Sequence, residues 1–525
     1  MYKIALCILL CCIVNGAKAQ VWNPDQRNGT YKNPIIFADY SDPDVIRVGE
    51  DYYMVASSFN CQPGIPVLHS KDLVNWKIIN YVYDRIPLQR YEKMQPGQGS
   101  WAPSIRYHKG TFYVYFCTPE DGLFMASTTN PATTWTLTLV QNVSNWEDPC
   151  PFWDTDGKAY LIHGLVGAGP AILHRLSADG KKLLDNGRLI YRDDKKQPVL
   201  EGFKFMEKRE GYYYFAAPAG GVGSGWQSVF RAKQIYGPYE DKVVLQQGNT
   251  AVNGPHQGGL VETQTGEWWF IHFQDRGTYG RILHLQPAVW KNGWPVIGSD
   301  KDNDGTGEPV PGYKKPNVGK VYTAEGPQTS DEFSSPVLGL QWQWQAAPQK
   351  NWYNLARGSV RLYAVSNPTD SGSLFYAPNL LLQKFAAPGF SATTLLNFSP
   401  AEIGDRAGLT VLGNYYTYLC LEKQHNGNTL VLYEGKKENR KFLLPKRLLS
   451  IPIAVNKVWL KVSVDTATMC RYAYSLDGST FINAGGVYPA EKGTWIGAKI
   501  GLACISPYLL NSAGYADFEF FRLRP

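Results

Sequence analysis

The chain is poor in the residue types that most enzyme chemistries depend on. Of 525 residues, 8 are histidine and 6 are methionine. There is no HExxH pair to hold a catalytic zinc, no GxSxG turn to carry a serine nucleophile, and no glycine-rich loop to cradle phosphate. The 9 cysteines include no CxxC pair, which excludes zinc-ribbon and thioredoxin-type motifs. After the first twenty residues, Cys61, Cys117, Cys150, Cys420, Cys470 and Cys504 are scattered through apolar stretches and read as small core residues. Helical periodicity is nearly missing, and no later apolar run is long enough to span a bilayer. The net charge of +7 is dispersed, with no basic run interleaved with aromatics, so nucleic acid is not an expected partner.

Aromatics, glycine and proline are abundant. With 33 Tyr, 22 Phe and 16 Trp beside 51 Gly and 34 Pro, the composition favours many short strands joined by turns. The length calls for two or more domains. Residues 1–19 read as a signal peptide. Lys3 opens it, an apolar run follows over residues 4–14, and Ala17-Lys18-Ala19 forms the cleavage site. Export to the periplasm is expected. Leu10 before Cys11 disfavours a lipid anchor, since a lipoprotein signal wants a small residue there.

One stretch organises the rest. Asp42-Pro-Asp-Val-Ile-Arg-Val, Asp148-Pro-Cys-Pro-Phe-Trp-Asp and Glu201-Gly-Phe-Lys-Phe-Met-Glu each open with an acid. In each, an aromatic-rich strand follows about nine or ten residues on. Five such aromatic strands start at Asp51, Gly110, Gly157, Gly211 and Gly266. Their spacing of about 47 to 59 residues is that of one four-stranded propeller blade. The chain therefore reads as a five-bladed β-propeller over residues 20–325, with a polar, turn-rich linker or strap at 297–330. From 326 to 525 short alternating strands continue without the repeat, which suggests a two-sheet β-sandwich. The fold class is all-β.

The first strand of each blade lines a propeller's channel, so its opening residue stands at one mouth. Asp42, Trp101, Asp148, Glu201 and His256 are assigned to those five positions. Facing carboxylates can cleave a glycosidic bond, one giving a proton while the other activates water or attacks carbon. A third acid nearby raises the donor's pKa. Such a site requires no cofactor. Asp300, Asp302 and Asp304 resemble the start of a calcium loop, but Pro311 stands where its closing Glu belongs, and a solvated loop is the reading adopted.

At these residues the chain resembles glycoside hydrolase family 43. The shared signatures are Asn33-Pro-Ile-Ile-Phe-Ala-Asp-Tyr-Ser-Asp42-Pro-Asp, Trp101-Ala-Pro-Ser-Ile, Asp148-Pro, Glu201-Gly-Phe, His256-Gln-Gly-Gly-Leu-Val-Glu-Thr and Gly280-Arg281. Asp331-Glu-Phe-Ser and Ala516-Asp-Phe-Glu-Phe-Phe resemble the ends of the family's appended sandwich, of jelly-roll or lectin-like type. The resemblance implies Asp42 as general base, Glu201 as general acid and Asp148 as the residue that orients the donor and tunes its pKa, with inversion at the anomeric carbon. It implies sugar contacts for Trp101, Arg281 and Phe59, and a support role for His256 beside a water or a structural calcium on the axis. The implied activity is exo-cleavage of α-L-arabinofuranose from plant cell-wall hemicellulose such as xyloglucan or arabinoxylan. A β-xylosidase and a non-catalytic sugar-binding protein are the alternatives. Asn60-Cys-Gln-Pro-Gly after Phe59, and Ile-Leu-His-Leu-Gln-Pro after Arg281, depart from the xylosidase pattern. The segment from Cys504 to Asn511 is the expected pocket-closing loop from the sandwich.

Overall fold

The computed structural model describes residues 20–167, 169–356, 358–369, 372–439, 441–507 and 512–525. The expected leader lies outside the described residues, as does the second half of the 504–511 segment. Among the described residues there is no α-helix, only strands and three short 3-10 turns.

Five antiparallel four-stranded sheets follow one another along the chain, each pairing its strands in sequence order. Blade I comprises Asp44–Val48, Asp51–Val55, Gly64–Ser70 and Trp76–Tyr83. Blade II runs from Trp101–His108 to Thr136–Gln141, and blade III from Trp146–Trp153 to Arg188–Tyr191. Blade IV runs from Lys204–Arg209 to Glu240–Leu245, and blade V from His256–Glu262 to Trp294–Ile297.

The aromatic second strands are apolar at nearly every position because both of their faces are buried. Successive side chains on a strand point to opposite faces, so alternate residues pack against the blade on either side. Met54 joins the core shared with Ile271 and Phe273 of blade V, whereas Val55 joins Val114 and Phe116 of blade II. Tyr115 and Leu161 meet between blades II and III. Ile162 and Phe215 meet between III and IV, and Tyr214 and Phe270 between IV and V.

The ring closes without a strand exchanged between the first and last blades. Residues 33–36 lie along the third strand of blade V, Arg281–Lys291. Ile35 N donates to Leu283 O at 2.7 Å, and Leu283 N to Ile36 O at 3.0 Å. The Asn33 amide donates to Leu285 O and Val310 O, and its oxygen accepts from Leu285 N. The polar stretch after blade V returns across the ring as a strap. Gly312–Lys314 pairs with Thr30–Lys32, Gln264 donates to Val318 O, and Lys320 pairs with Glu50.

The C-terminal region is a sandwich of a nine-stranded and a seven-stranded sheet. Its core does not stop at the domain boundary. Phe37, Tyr279 and Ile282 of the propeller pack into the same cluster as Phe385, Phe390 and Ile500 of the sandwich. All six described cysteines are buried and unbridged, as core residues would be.

Candidate active site

Each blade opens with a left-handed residue. The φ angles are +56° at Asp42, +27° at Ala102, +55° at Asp148, +64° at Gly202 and +52° at Gln257. Two residues on, Asp44, Ser104, Cys150 and Lys204 pair with the second strand; in blades II, III and V the residue before the left-handed one is paired as well. Blades II, III and V show a register shift at this point, the signature of a bulge that re-aims neighbouring side chains. Aspartate tolerates the left-handed conformation better than most residues, and glycine best of all.

This geometry corrects the phase read from the sequence. Asp42 and Asp148 are themselves the left-handed residues, whereas Trp101, Glu201 and His256 each stand one position earlier. Sequence spacing alone blurs the difference, because it carries no signal for which residue takes the positive φ. The acids thus enter the mouth from two different backbone positions.

Below them the channel is filled. Arg106 pairs with Asp44 at 2.6 Å and reaches Cys150 Sγ at 2.9 Å, and Lys204 Nζ donates to Pro103 O at 2.8 Å.

Asp42 is 3% exposed. Its Oδ1 accepts from Arg281 Nη1 at 2.7 Å. Its Oδ2 accepts from Ser41 Oγ at 2.8 Å and Ser57 Oγ at 2.6 Å. Ser57 Oγ in turn accepts from the Ala102 amide of the next blade at 2.7 Å. Asp148 Oδ2 accepts from the Gly202 amide at 2.5 Å, which ties it to the residue beside Glu201. Burial raises the Asp148 carboxyl above its ordinary range, opposed by the Gly202 amide and reinforced by Asp42.

Glu201 is different. Its Oε1 is buried without a hydrogen-bond partner among the described residues, 3.8 Å from His256 Nε2. Its pKa is pushed up to about 8, first by burial and then by the negative charge of Asp148, with Arg281 opposing and Asp42 adding. His256 is fully buried, and burial, Arg281 and His272 hold it down to about 3, so it is neutral. Its Nε2 lacks a protein partner among the described residues.

An aromatic collar surrounds Arg281. Its Cζ lies 4.8 Å from the ring of Phe273 and 5.8 Å from those of both Phe59 and Trp495. Trp101 sits edge-on to Phe59 at 6.1 Å and to Trp495 at 5.9 Å. Phe59 is itself buried. All seven residues singled out from the sequence therefore gather at one mouth.

Trp495 was not among the seven. Of the closing segment expected at Cys504–Asn511, Cys504, Ile505 and Ser506 are buried in the strand Lys499–Ser506, and residues 508–511 lie outside the described residues. A loop that does reach the mouth carries Trp495, between the strands Ile482–Pro489 and Lys499–Ser506. Its sequence, Lys492-Gly-Thr-Trp-Ile-Gly497, holds the one available signal, a tryptophan set among small and polar loop residues. Ser41 and Ser57 were also missed, since a serine contributes nothing to periodicity.

Asp300, Asp302 and Asp304 offer oxygens within 4.8 Å of one another, on the loop after blade V. Lys291 lies 3.3 Å from Asp300, and Lys242 Nζ 3.3 Å from Asp304 O, so the loop carries its own counter-charge.

A half-buried carboxyl whose pKa is pushed up to about 8, beside a second carboxylate that accepts three hydrogen bonds, inside an aromatic collar, is the equipment of a glycoside hydrolase. Residues 31–295 match the model of glycosyl hydrolases family 43, and residues 330–524 that of the beta xylosidase C-terminal concanavalin A-like domain. The chain belongs to glycosyl hydrolase family 43. It is 45% identical to a candidate beta-xylosidase of Xylanibacter ruminicola, over 92% of this chain and 88% of that one. It is 29% identical to a non-reducing end alpha-L-arabinofuranosidase of Bacteroides ovatus, over 94% and 95%. A solved family 43 protein of Bacillus licheniformis superposes with a TM-score of 0.81 at 28% identity, covering 94% of this chain and 99% of that one.

Proposed function

We propose that this enzyme is an exo-acting, inverting glycosidase that releases single pentose units from the non-reducing ends of plant cell-wall polysaccharide. Glu201 donates a proton to the leaving oxygen, and Asp42 accepts one from the attacking water. Asp148 sets the donor's pKa and orients it through Gly202. The observation that carries this reading is the asymmetry between the acids. Glu201 is desolvated, unpartnered and protonated at neutral pH, whereas Asp42 is held by a guanidinium and two hydroxyls. Arg281, Trp101, Phe59 and Trp495 supply the wall and the hydroxyl contacts of a small sugar. A mouth plugged beneath by Lys204 and Arg106, and bordered above by Trp495, favours terminal over internal cleavage.

A β-xyloside is the first substrate class, because the relative at 45% identity carries that name and the C-terminal model is the beta xylosidase type. An α-L-arabinofuranoside is the second, supported by the Bacteroides ovatus relative. The two sugars are neutral pentoses with similar hydroxyl displays, so one pocket admits either. Catalysis in this reading uses no metal. His256 offers a single nitrogen on the axis, suited to a water or to a cation keeping its own water shell, whereas a dry calcium cage needs six to eight oxygens. The leader expected over residues 1–19 supports export to the periplasm.

Initial rates on nitrophenyl β-xyloside and nitrophenyl α-L-arabinofuranoside test the assignment. The xyloside is expected to be turned over faster, and Glu201→Gln to lower kcat on the better substrate by about 10²- to 10⁴-fold. Proton NMR of the first product is expected to show the inverted anomer. Unchanged kcat in Glu201→Gln overturns the donor assignment.

A further inference from the structure

Asp39 lies on the seam between the two domains and is 3% exposed. Its Oδ1 accepts from the Arg281 amide at 3.0 Å, and its Oδ2 from the Gly497 amide, also at 3.0 Å. These donors belong to different domains: the third strand of blade V, and the sandwich loop that carries Trp495. Two further bonds flank the pair. Ala498 N donates to Thr278 O at 2.7 Å, and Thr278 Oγ1 to Ala490 O at 3.1 Å.

Contact along the seam leaves no room for a side chain at three glycines. A Cβ on Gly280 would lie 2.4 Å from Asp39 Cγ, and one on Gly497 would lie 2.6 Å from Gly280 N. One on Gly97 would lie 2.9 Å from Thr494 Cγ2 and from Trp495 Cδ1. Trp495 itself takes a left-handed backbone at φ +64° and remains 51% exposed. A bulky residue in that conformation is strained, and half of its apolar surface stays in water. The ring of Trp495 is not part of the sandwich core cluster, and its ring contacts are with Trp101 and Arg281 at the mouth.

We propose that Asp39 is a positioning residue for hydrolysis: by accepting the amides of Arg281 and Gly497 on one carboxylate, it holds the sandwich-borne Trp495 in register with Arg281 and Asp42. The sugar-binding mouth is then complete only while the two domains are latched. A carboxylate suits this place because it offers two acceptor oxygens and no donor. An asparagine has one acceptor, so it serves one amide and turns an N–H toward the other. Lys384, half-buried on the sandwich side, lies close enough for Asp39 to favour its charged form, against desolvation and Lys499, which bring it down to about 7.

The inference rests on the hydrolase reading and holds for either pentoside. Its test compares wild type, Asp39→Asn, Trp495→Ala and the double variant on whichever nitrophenyl pentoside the wild type hydrolyses, with melting temperatures alongside. Asp39→Asn is expected to raise KM about tenfold, the size of one lost charge-assisted hydrogen bond, with a smaller change in kcat. In the Trp495→Ala background the same substitution is expected to have no further effect on KM, because the residue it positions is gone. A KM within twofold of wild type overturns the proposal, as does an Asp39→Asn effect that multiplies fully in the double variant. A lowered melting temperature with unchanged KM also overturns it, since a merely structural residue behaves so. Should Asp39→Asn fail to fold, Thr278→Val loosens the same loop at its flanking bond. Raised KM then supports the latch and unchanged KM overturns it. If the wild type hydrolyses no pentoside, the hydrolase reading fails; the latch is then judged on the same variants from calorimetric Kd values for free xylose and arabinose, by the same criteria.

Discussion

Glu201 is held in a form that an unfolded chain would not share. In the fold its pKa is about 8, against an ordinary 4.5. The native state binds that proton more tightly than the unfolded state, so its contribution to stability is intact below about pH 4.5 and lost as pH rises through about 8. Glutamine carries no such penalty. Glu201→Gln is therefore expected to melt at or above wild type at pH 8, with the difference shrinking toward pH 5; scanning calorimetry at the two pH values decides it. A variant that melts lower at pH 8 would argue against a desolvated, protonated acid. The same proton shapes the rate. Since the donor must be protonated, kcat/KM is expected to fall above about pH 8, and a profile flat to pH 10 would assign the donor elsewhere.

At the scale of the element, the left-handed residue that opens each blade sets where its neighbours point. Gly202 is the only glycine among the five, and a Cβ there would lie 2.8 Å from Pro218 Cδ and 2.9 Å from Gln257 Cγ. Gly202→Ala is thus both strained and crowded. It is expected to cost about 1–3 kcal/mol of stability and to lower kcat, because the Gly202 amide ties Asp148 to the donor. Ala102→Gly is the converse, relieving an alanine held at φ +27°, and is expected to be neutral or stabilising by up to about 1 kcal/mol. Chemical denaturation of both variants checks the pair, and an equal loss in each would mean that backbone conformation is not what distinguishes these positions. The bulges were not legible beforehand. Strand and turn composition marks where a blade begins, but which residue turns left-handed depends on how the strand meets its partner.

At the scale of the molecule, the propeller is a ring closed by hydrogen bonds from its N-terminal segment to blade V and to the strap after it, and the Asn33 side chain makes three of them, two to Leu285 and one to Val310. Asn33→Ala is expected to cost about 1–3 kcal/mol by removing the side-chain partners of the Leu285 N–H and the Val310 carbonyl. Its melting temperature should fall while KM on a pentoside stays near wild type. A large KM change instead would show that ring closure is felt at the mouth. The sandwich is not a separate appendage, because Phe37, Tyr279 and Ile282 share its core and Asp39 and Thr278 bond its loop.

The sequence by itself determined the repeat, the number of blades, the two-sheet C-terminal region, and the seven side chains that meet at the mouth. The repeat, the sandwich and the five blade-opening residues follow from patterns local to a strand: alternation, aromatic runs and turn residues, repeated at a blade-sized period; Arg281 and Phe59 came from the resemblance to family 43. Only the tertiary structure decided the phase of the acids, the serines that hold Asp42, and the arrival of Trp495 from the other domain. The first depends on backbone angles at a bulge, the second on a blade-to-blade hydrogen bond, and the third on how two separately patterned domains pack. None of those leaves a period or a composition along the chain from which it could have been read.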